Sequence, residues 1–361
     1  MPSPWWLRRA LSNRIIPAVP IISAHDLSKT FQLKEKAAGL RGSLAALARP
    51  RFRAVEAVRG ISFDIDEGEL VAFIGPNGAG KSTTLKMLTG LLYPSAGEAT
   101  VLGLTPWSQR TRLAFQIGSV FGQKSQLWYH LPPGDTFDLF ARIYELNEKA
   151  YQERRAQLVE TFAIREFLNT PVRRLSLGER MRCEIVASLL HRPRVIFLDE
   201  PTIGLDVVSK QQIRATLRQL NADEAVTVIL TSHDATDVET VCKRVIIINH
   251  GQVIYDDRVS RLKRMHLTRK TVDVRFGSEL SAPFELSGVR VVKQSQYGVK
   301  LEFDSREQPV EAVIQQLLSS HEVEDINIAG PGMEEIIREI YASHEPTLLE
   351  SGPSPVERIA E

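Results

Sequence analysis

Nine consecutive residues, Gly75-Pro76-Asn77-Gly78-Ala79-Gly80-Lys81-Ser82-Thr83, constrain this chain more than any other stretch. They fit the pattern G-x-x-x-x-G-K-[ST], in which backbone N–H groups of a glycine-rich turn close around phosphate oxygens. The pattern works where a strand feeds the turn and a helix leaves it. Leu70-Val71-Ala72-Phe73-Ile74 is an apolar run, and Thr83-Thr84-Leu85-Lys86-Met87-Leu88 has a helical pattern, so both flanks are present. Glycine removes the Cβ that would hold the backbone off an anion. Lys81 can then reach the β- and γ-phosphates, and the Ser82 hydroxyl can hold Mg²⁺. Average residue usage gives a chance match in about 1% of chains this long. The reading is a phosphate site on an α/β frame.

Length and charge bound the rest. A chain of 361 residues suggests about two domains. A net charge of +1 supplies no global pull towards nucleic acid or acidic lipid. No apolar run approaches the roughly 20 residues of a membrane span. Residues 15–22 are apolar but broken by Pro17 and Pro20, so no signal peptide is expected. Cys183 and Cys242 fall in predicted helices and read as reduced, buried thiols of a cytoplasmic protein. There is no metal-ligand spacing and no internal repeat.

Residues 1–20 read as a loose extension. Its cluster Trp5-Trp6-Leu7-Arg8-Arg9 either touches a membrane interface or belongs to a disordered or partner-packed tail. A nucleotide-binding domain is expected over 21–260, with two insertions. Residues 33–54 carry six basic side chains against Glu35, with an amphipathic helix expected around Leu40 to Leu47 that lies on headgroups, on a partner, or in solvent. Residues 124–175 read as a helical subdomain, helical throughout from Asp135 to Leu168. Strands are expected at Ile21–Leu27, Leu70–Ile74, Val195–Leu198, Val226–Leu230 and Val245–Ile248, mostly near-continuous apolar runs of the kind buried on both faces. A small α+β domain of order β-β-β-α-β-α is expected over 270–345, with dimer support as its expected role. Residues 346–361 read as disordered.

Three polar clusters follow the phosphate loop. Val195 to Leu198 ends in Asp199-Glu200, which places Asp199 to hold Mg²⁺ and Glu200 to orient or deprotonate a water. Val226 to Leu230 ends in Thr231-Ser232-His233-Asp234, and the same sheet edge would bring His233 to the γ-phosphate. Ser176 and Glu179 have the spacing of a capping box at the start of a helix running to Leu190. A glycine-bearing helix start is also an anion site. Because the chain's own nucleotide is already held by Lys81 and Ser82, that end would receive the γ-phosphate of a second molecule.

With these residues in this order, the sequence resembles the nucleotide-binding subunits of ATP-binding cassette (ABC) transporters over about residues 21–257. Gly75 to Thr83 matches the Walker A loop, Leu175 to Glu179 the signature motif, and Val195 to Glu200 Walker B. Gln123 matches the Q-loop glutamine, Ile203-Gly204-Leu205-Asp206 the D-loop, His233 the switch histidine, and Phe31 the aromatic that stacks on adenine. The resemblance implies a P-loop NTPase cassette, with a RecA-like core sheet, an antiparallel edge sheet and a helical subdomain. It implies ATP and Mg²⁺, with Ser82, Gln123 and Asp199 on the metal, and catalysis through Glu200, His233 and Gln123. It also implies a head-to-tail homodimer in which Ser176, Leu177, Gly178 and Glu179 contact the partner's ATP. Integral membrane permease subunits encoded elsewhere would complete the machine on the cytoplasmic face of the cell membrane, with no nucleic-acid partner. The insertion at 33–54, the stretch Phe121 to Trp128 and the C-terminal domain resemble ABC-2-type exporters.

The signature departs from the family, reading Leu-Ser-Leu-Gly-Glu where Leu-Ser-Gly-Gly-Gln is common. Leu177 adds bulk near the phosphate-facing turn, and Glu179 would repel a γ-phosphate unless it turns back to cap the helix, which is the expected role. Phe31 stands where tyrosine is usual and keeps a stacking face. Trp128 and Tyr129 either contact the membrane subunits or pack inside the helical subdomain. Two other readings compete: a soluble ABC ATPase acting on ribosomes or DNA, and a scaffold that binds ATP without turnover. A single cassette without coiled-coil or zinc insertions disfavours the first, and the presence of Glu200 disfavours the second.

Overall fold

A computed structural model of the chain describes residues 19–34, 52–122, 125–265, 269–280 and 282–344. It divides into two compact units, split after Ser260. In chain order the first unit runs β1 (Ile22–Lys34), β2 (Phe52–Ile65), β3 (Leu70–Ile74), α1 (Lys81–Leu88), β4 (Ala96–Val101), α2 (Arg110–Ala114) and β5 (Ile117–Phe121). Then come α3 (Pro133–Ile143), α4 (Glu148–Thr161), α5 (Leu177–Leu189), β6 (Val195–Asp199), α6 (Val207–Glu224), β7 (Thr227–Ser232), α7 (Ala235–Val241), β8 (Arg244–Asn249) and β9 (Gln252–Arg258).

Six strands form one sheet in the order β5-β6-β7-β3-β8-β9. The first five are parallel and β9 is an antiparallel edge. Every residue of β3 and β7 is buried, as expected of strands covered on both faces. The register aligns the carboxyl ends: Phe121 pairs with Asp199, Asp199 with Thr231, and Phe73 with Thr231. Ligands of open parallel sheets bind at that edge, and the glycine-rich turn leaves β3 there. A second, antiparallel sheet has the order β2-β1-β4. Its Ile22, Leu27, Phe63 and Ile65 share a core with Phe73, Phe197 and Ile246 of the large sheet and with Leu85 and Met87 of α1. Phe63 meets Phe73 edge-on at 5.1 Å.

Four sequence expectations change in detail. The run from Asp135 to Leu168 is not one helix but two, followed by a 3₁₀ turn at Arg165–Phe167. The break comes where Glu145 adopts a left-handed backbone (φ +51°) and the Asn147 side chain caps the Ala150 N–H at 3.2 Å. The edge strands also extend into the range read as insertion, since Lys34 pairs with Phe52 and Leu33 with Arg53. Only residues 35–51 separate them, and these, with the helix expected at Leu40 to Leu47 and the cluster at Trp5 to Arg9, lie outside the described residues. Cys183 is in α5, but Cys242 is the residue after α7, in extended backbone; both thiols are buried. The helix capped at Ser176 runs from Leu177 as the capping box predicts, but ends at Leu189 rather than Leu190.

The helices α3 and α4 are tied to the sheet region by one buried cation. Arg154 is 1% exposed and grips the Glu224 carboxylate with both guanidinium nitrogens, at 2.5 and 2.9 Å, while its Nε donates to the Leu189 carbonyl at 3.3 Å. Glu224 ends α6, where Ala225 turns left-handed (φ +52°). One turn of α4 thus holds the C-terminal ends of α5 and α6 together.

The second unit is built on a sheet of order β11-β12-β10-β13 from β10 (Arg269–Phe276), β11 (Arg290–Ser295), β12 (Gly298–Asp304) and β13 (Val323–Ala329). Two helices, Val310–Ser320 and Met333–Ser343, accompany it. Val272, Val274 and Phe276 alternate with exposed or half-exposed residues, as do Val299, Leu301 and Phe303, so one face of the sheet packs on Val313 and Leu317.

Replacing Arg154 by methionine breaks a buried ion pair and should cost about 3 kcal/mol. Denaturation midpoints of the first unit should show this, and Arg154→Met with Glu224→Met should recover part of the loss by removing the stranded carboxylate.

Candidate active site

The turn at 75–83 is shaped by its own chain before any ligand is considered. A Cβ at Gly75 would lie 2.3 Å from the Ile248 carbonyl oxygen, and one at Gly80 would lie 2.6 Å from that of Ala57. Gly80 also caps α1 with φ +108°, a backbone closed to other residues. Sequence reasoning credited these glycines to phosphate access, but close packing against β8 and β2 requires two of them. Lys81 is only 5% exposed and donates to the carbonyls of Gly75 (2.7 Å) and Pro76 (3.3 Å). Burial lowers its pKa, while the carboxylates of Glu200 and Asp199 work in the opposite direction. An ammonium held by loop carbonyls is ready to be handed to a stronger anion.

Asp199 and Glu200 stand at the end of β6. The Ser82 hydroxyl donates to Asp199 Oδ1 at 2.9 Å, and so does the Thr231 hydroxyl at 2.7 Å. The Thr231 Oγ1 also accepts from the Glu200 N–H at 2.9 Å. Glu200 takes a left-handed backbone (φ +53°), the kind of strain kept where a side chain must be aimed. Its carboxylate lies 3.8 Å from Lys81 Nζ and 3.7 Å from His233 Nδ1. A cavity of about 820 Å³ is lined by Asn77 to Thr83, Gly122, Asp199, Glu200, Ile203 and His233, together with Val55 to Ala57. Gly75 and Pro76 act from behind, through the carbonyls on Lys81. Phe31 pairs across the ladder with Val55, which lines the cavity, and the ring of Phe31 carries the Lys29 ammonium at 5.4 Å. Phe31 itself is not in the cavity wall. Gln123 lies outside the described residues.

Ser176, Leu177, Gly178, Glu179 and Asp206 gather elsewhere and do not line this cavity. Both halves of the capping box are made: the Ser176 N–H donates to Glu179 at 2.8 Å, and the Glu179 N–H to Ser176 Oγ at 3.3 Å. The Glu179 carboxylate is therefore turned back on its own helix. Leu177 packs on Gly204, and Gly178 packs on Ser209, where an added Cβ would come within 2.5 Å of the hydroxyl. Asp206 caps α6 by accepting from the Ser209 N–H at 2.9 Å and its hydroxyl at 2.6 Å. Leu177, Val207 and Val208 are exposed around this point, and Ile203, also exposed, borders the cavity. Trp128 and Tyr129 are also more than half exposed, so neither ring packs inside the helical region.

Sequence reasoning missed the support beneath Glu200 and His233. Asp237 is buried and accepts from Thr202 (2.5 Å), Ser232 (2.6 Å) and Arg214 Nε (2.7 Å). Thr202 is two residues past Glu200 and Ser232 one before His233, so a single carboxylate fixes both chain segments. Asp234 adds Lys210 at 2.9 Å and Arg214 at 3.2 Å. Burial works against the Asp234 carboxylate, but hydrogen bonds from Lys210 and Thr236 outweigh it and hold its pKa down at about 2. Only the polar tail of each strand signals this network in sequence, and such tails are common.

Comparison with known proteins shows what the chain as a whole is similar to. The family model described as ABC transporter matches residues 58–203. The ABC transporter ATP-binding protein NatA of Bacillus subtilis is 34% identical over 235 residues, covering 65% of this chain and 88% of NatA. The linearmycin resistance ATP-binding protein LnrL of the same organism is 32% identical over 282 residues, covering 77% of this chain and 89% of LnrL. Among solved structures, the dimeric ATP-binding cassette MJ0796 in a post-hydrolysis state bound to ADP and Pi superposes with a TM-score of 0.56 at 23% identity, covering 66% of this chain and 98% of that one.

Two outcomes follow from the network. Removing the carboxylate in Asp237→Ala takes the acceptor from Thr202, Ser232 and Arg214 Nε, leaves Arg214 with Asp234 alone, and should cost about 3 kcal/mol, measured by chemical denaturation. The Asp234 carboxylate, with its pKa lowered, contributes stability that is complete above its unfolded value of about 3.9 and is lost as pH falls towards 2. The stability gap between the parent and Asp234→Asn should therefore be constant at neutral pH and close as pH falls from about 4 to 2.

Proposed function

We propose that this chain, which belongs to the family of ABC transporter ATP-binding proteins, hydrolyses ATP at the cytoplasmic face of a membrane to power an exporter whose membrane-spanning subunits are separate chains. The observation that carries the reading is the convergence of Lys81, Ser82, Asp199, Glu200 and His233 on one cavity at the carboxyl ends of parallel strands. Export is supported by the likeness to a protein named for linearmycin resistance. Among the described residues no helix is long and apolar enough to cross a membrane.

The ATP phosphates occupy the turn at 75–83, where Lys81 exchanges its carbonyl partners for β- and γ-oxygens. The hydroxyl of Ser82 and the carboxylate of Asp199, already 2.9 Å apart, form the hard oxygen set that suits Mg²⁺, with Gln123 as a further ligand. When bound, Mg²⁺ neutralises phosphate charge. Glu200 orients the attacking water and accepts its proton. His233 is 54% exposed at the mouth of the cavity and contacts the γ-phosphate, as does Gln123. Phe31, beside Val55, offers its ring to adenine.

A second copy, placed head to tail, sets Ser176 to Gly178 on the γ-phosphate. The Glu179 carboxylate stays folded on its own helix, so its charge does not oppose the phosphate. Leu177, Ile203, Val207 and Val208 supply apolar area for such a contact. Hydrolysis removes the charged bridge and the pair opens. Trp128 and Tyr129 are the side chains offered to the membrane subunits.

The test is ATPase activity and solution mass for the wild type and Glu200→Gln, with and without ATP and Mg²⁺. The wild type should hydrolyse ATP, and the variant should lose roughly 100-fold or more in rate while gaining an ATP-dependent dimer. A wild-type chain that binds no ATP, or a variant as fast as the wild type, overturns the proposal.

A further inference from the structure

The strongest unexplained feature is a carboxylate on the signature-bearing helix that faces inward. Glu184 lies in α5, is 4% exposed, and takes no part in the cavity. Its partners all come from the chain just past β5. The Ser125 hydroxyl donates to Glu184 Oε1, the Gln126 N–H donates to Oε2 at 3.2 Å, and the Gln126 side-chain amide donates to the Glu184 carbonyl at 3.0 Å. Ser125 in turn accepts the Leu127 N–H at 3.2 Å. Arg180, one turn earlier on the helix, is the cation whose field the carboxylate feels.

Burying a carboxylate is costly, and an apolar side chain of similar volume usually serves stability as well or better. What the carboxylate adds is a bidentate hold on one short segment. That segment begins three residues past Gly122, which lines the nucleotide cavity and donates its N–H to the Asp199 carbonyl at 3.2 Å. Glu184 lies seven residues beyond Leu177, two turns or about 10 Å along a stiff helix. The other end of that helix is Ser176 to Gly178, which does not line the cavity of its own chain.

We propose that Glu184 is a positioning residue that couples the exit of β5, at the wall of the chain's own nucleotide cavity, to the signature end of α5. A shift of Gly122 on nucleotide capture pulls on Ser125 and Gln126, and Glu184 passes that displacement to the helix. The signature end then moves on the surface that faces the second copy. The proposal rests on the nucleotide-binding reading above and adds to it a physical link between the two ATP sites of a dimer.

Hydrogen exchange on the full chain tests it, in the Glu200→Gln background with and without ATP and Mg²⁺. The parent is compared with Ser125→Ala, Ser125→Thr and Glu184→Ala. Amides at 75–83 report nucleotide capture, and those at 177–184 report the coupled helix. ATP should slow exchange at 75–83 in all four chains. The slowing at 177–184 should be kept in the parent and in Ser125→Thr, which retains the hydroxyl, and fall by roughly fivefold or more in Ser125→Ala and Glu184→Ala. If Glu184→Ala does not fold, the two Ser125 variants decide. Undiminished slowing at 177–184 in Ser125→Ala overturns the coupling. Equal loss at 75–83 and 177–184 in that variant overturns it too, since the contact then supports the fold alone. No slowing at 75–83 in the parent removes the nucleotide reading and the proposal with it, an outcome visible without any Ser125 or Glu184 variant.

Discussion

One oxygen of Asp199 receives the hydroxyls of Ser82 and Thr231, and much of the site depends on that meeting. Ser82 comes from the first turn of α1, Asp199 from the end of β6 and Thr231 from β7. The three can meet only because β6 and β7 pair in parallel register, with Asp199 opposite Thr231, and because β3 delivers its turn beside them. A slip of one residue in any strand would turn the side chain to the other face. Full burial of the strands supplies the driving force that fixes the register, so the core is what sets the chemistry to within an ångström.

The charges in and beneath the site divide into two kinds. Lys81, Asp199 and Glu200 border the cavity, and Lys81 is held by carbonyls that a phosphate can outbid. Asp237 and Arg214 are buried, with their bonding filled by Thr202, Ser232, Asp234 and each other. The first set is free to change partners. The second cannot, and it holds the chain on either side of Glu200 and His233 still while the first set works.

Leu177 and Glu179, where the chain departs from the family's usual motif, are accommodated by their neighbours. Leu177 has Gly204 to pack on, and Glu179 spends its charge on the Ser176 N–H. The two departures from the common motif therefore compensate locally. The stacked rings of Tyr144 and His191, centroids 4.0 Å apart, add a second contact at the C-terminal end of the same helix. Burial pushes the His191 pKa down to about 4, so that stack remains neutral at physiological pH.

The sequence by itself determined the turn at 75–83, four of the five parallel strands (all but β5), the capping box at Ser176 and the polar tails of β6 and β7. Each of these is a local pattern: a spacing, an apolar run or a cap, readable within about ten residues. The tertiary structure alone decided that Gly75 and Gly80 answer to Ile248 and Ala57, and that Arg154, Asp237 and Glu184 each tie distant segments together. These depend on atoms 20 to 170 residues apart along the chain coming within bonding distance. A buried charge chooses its partner only when packing has removed water as the alternative.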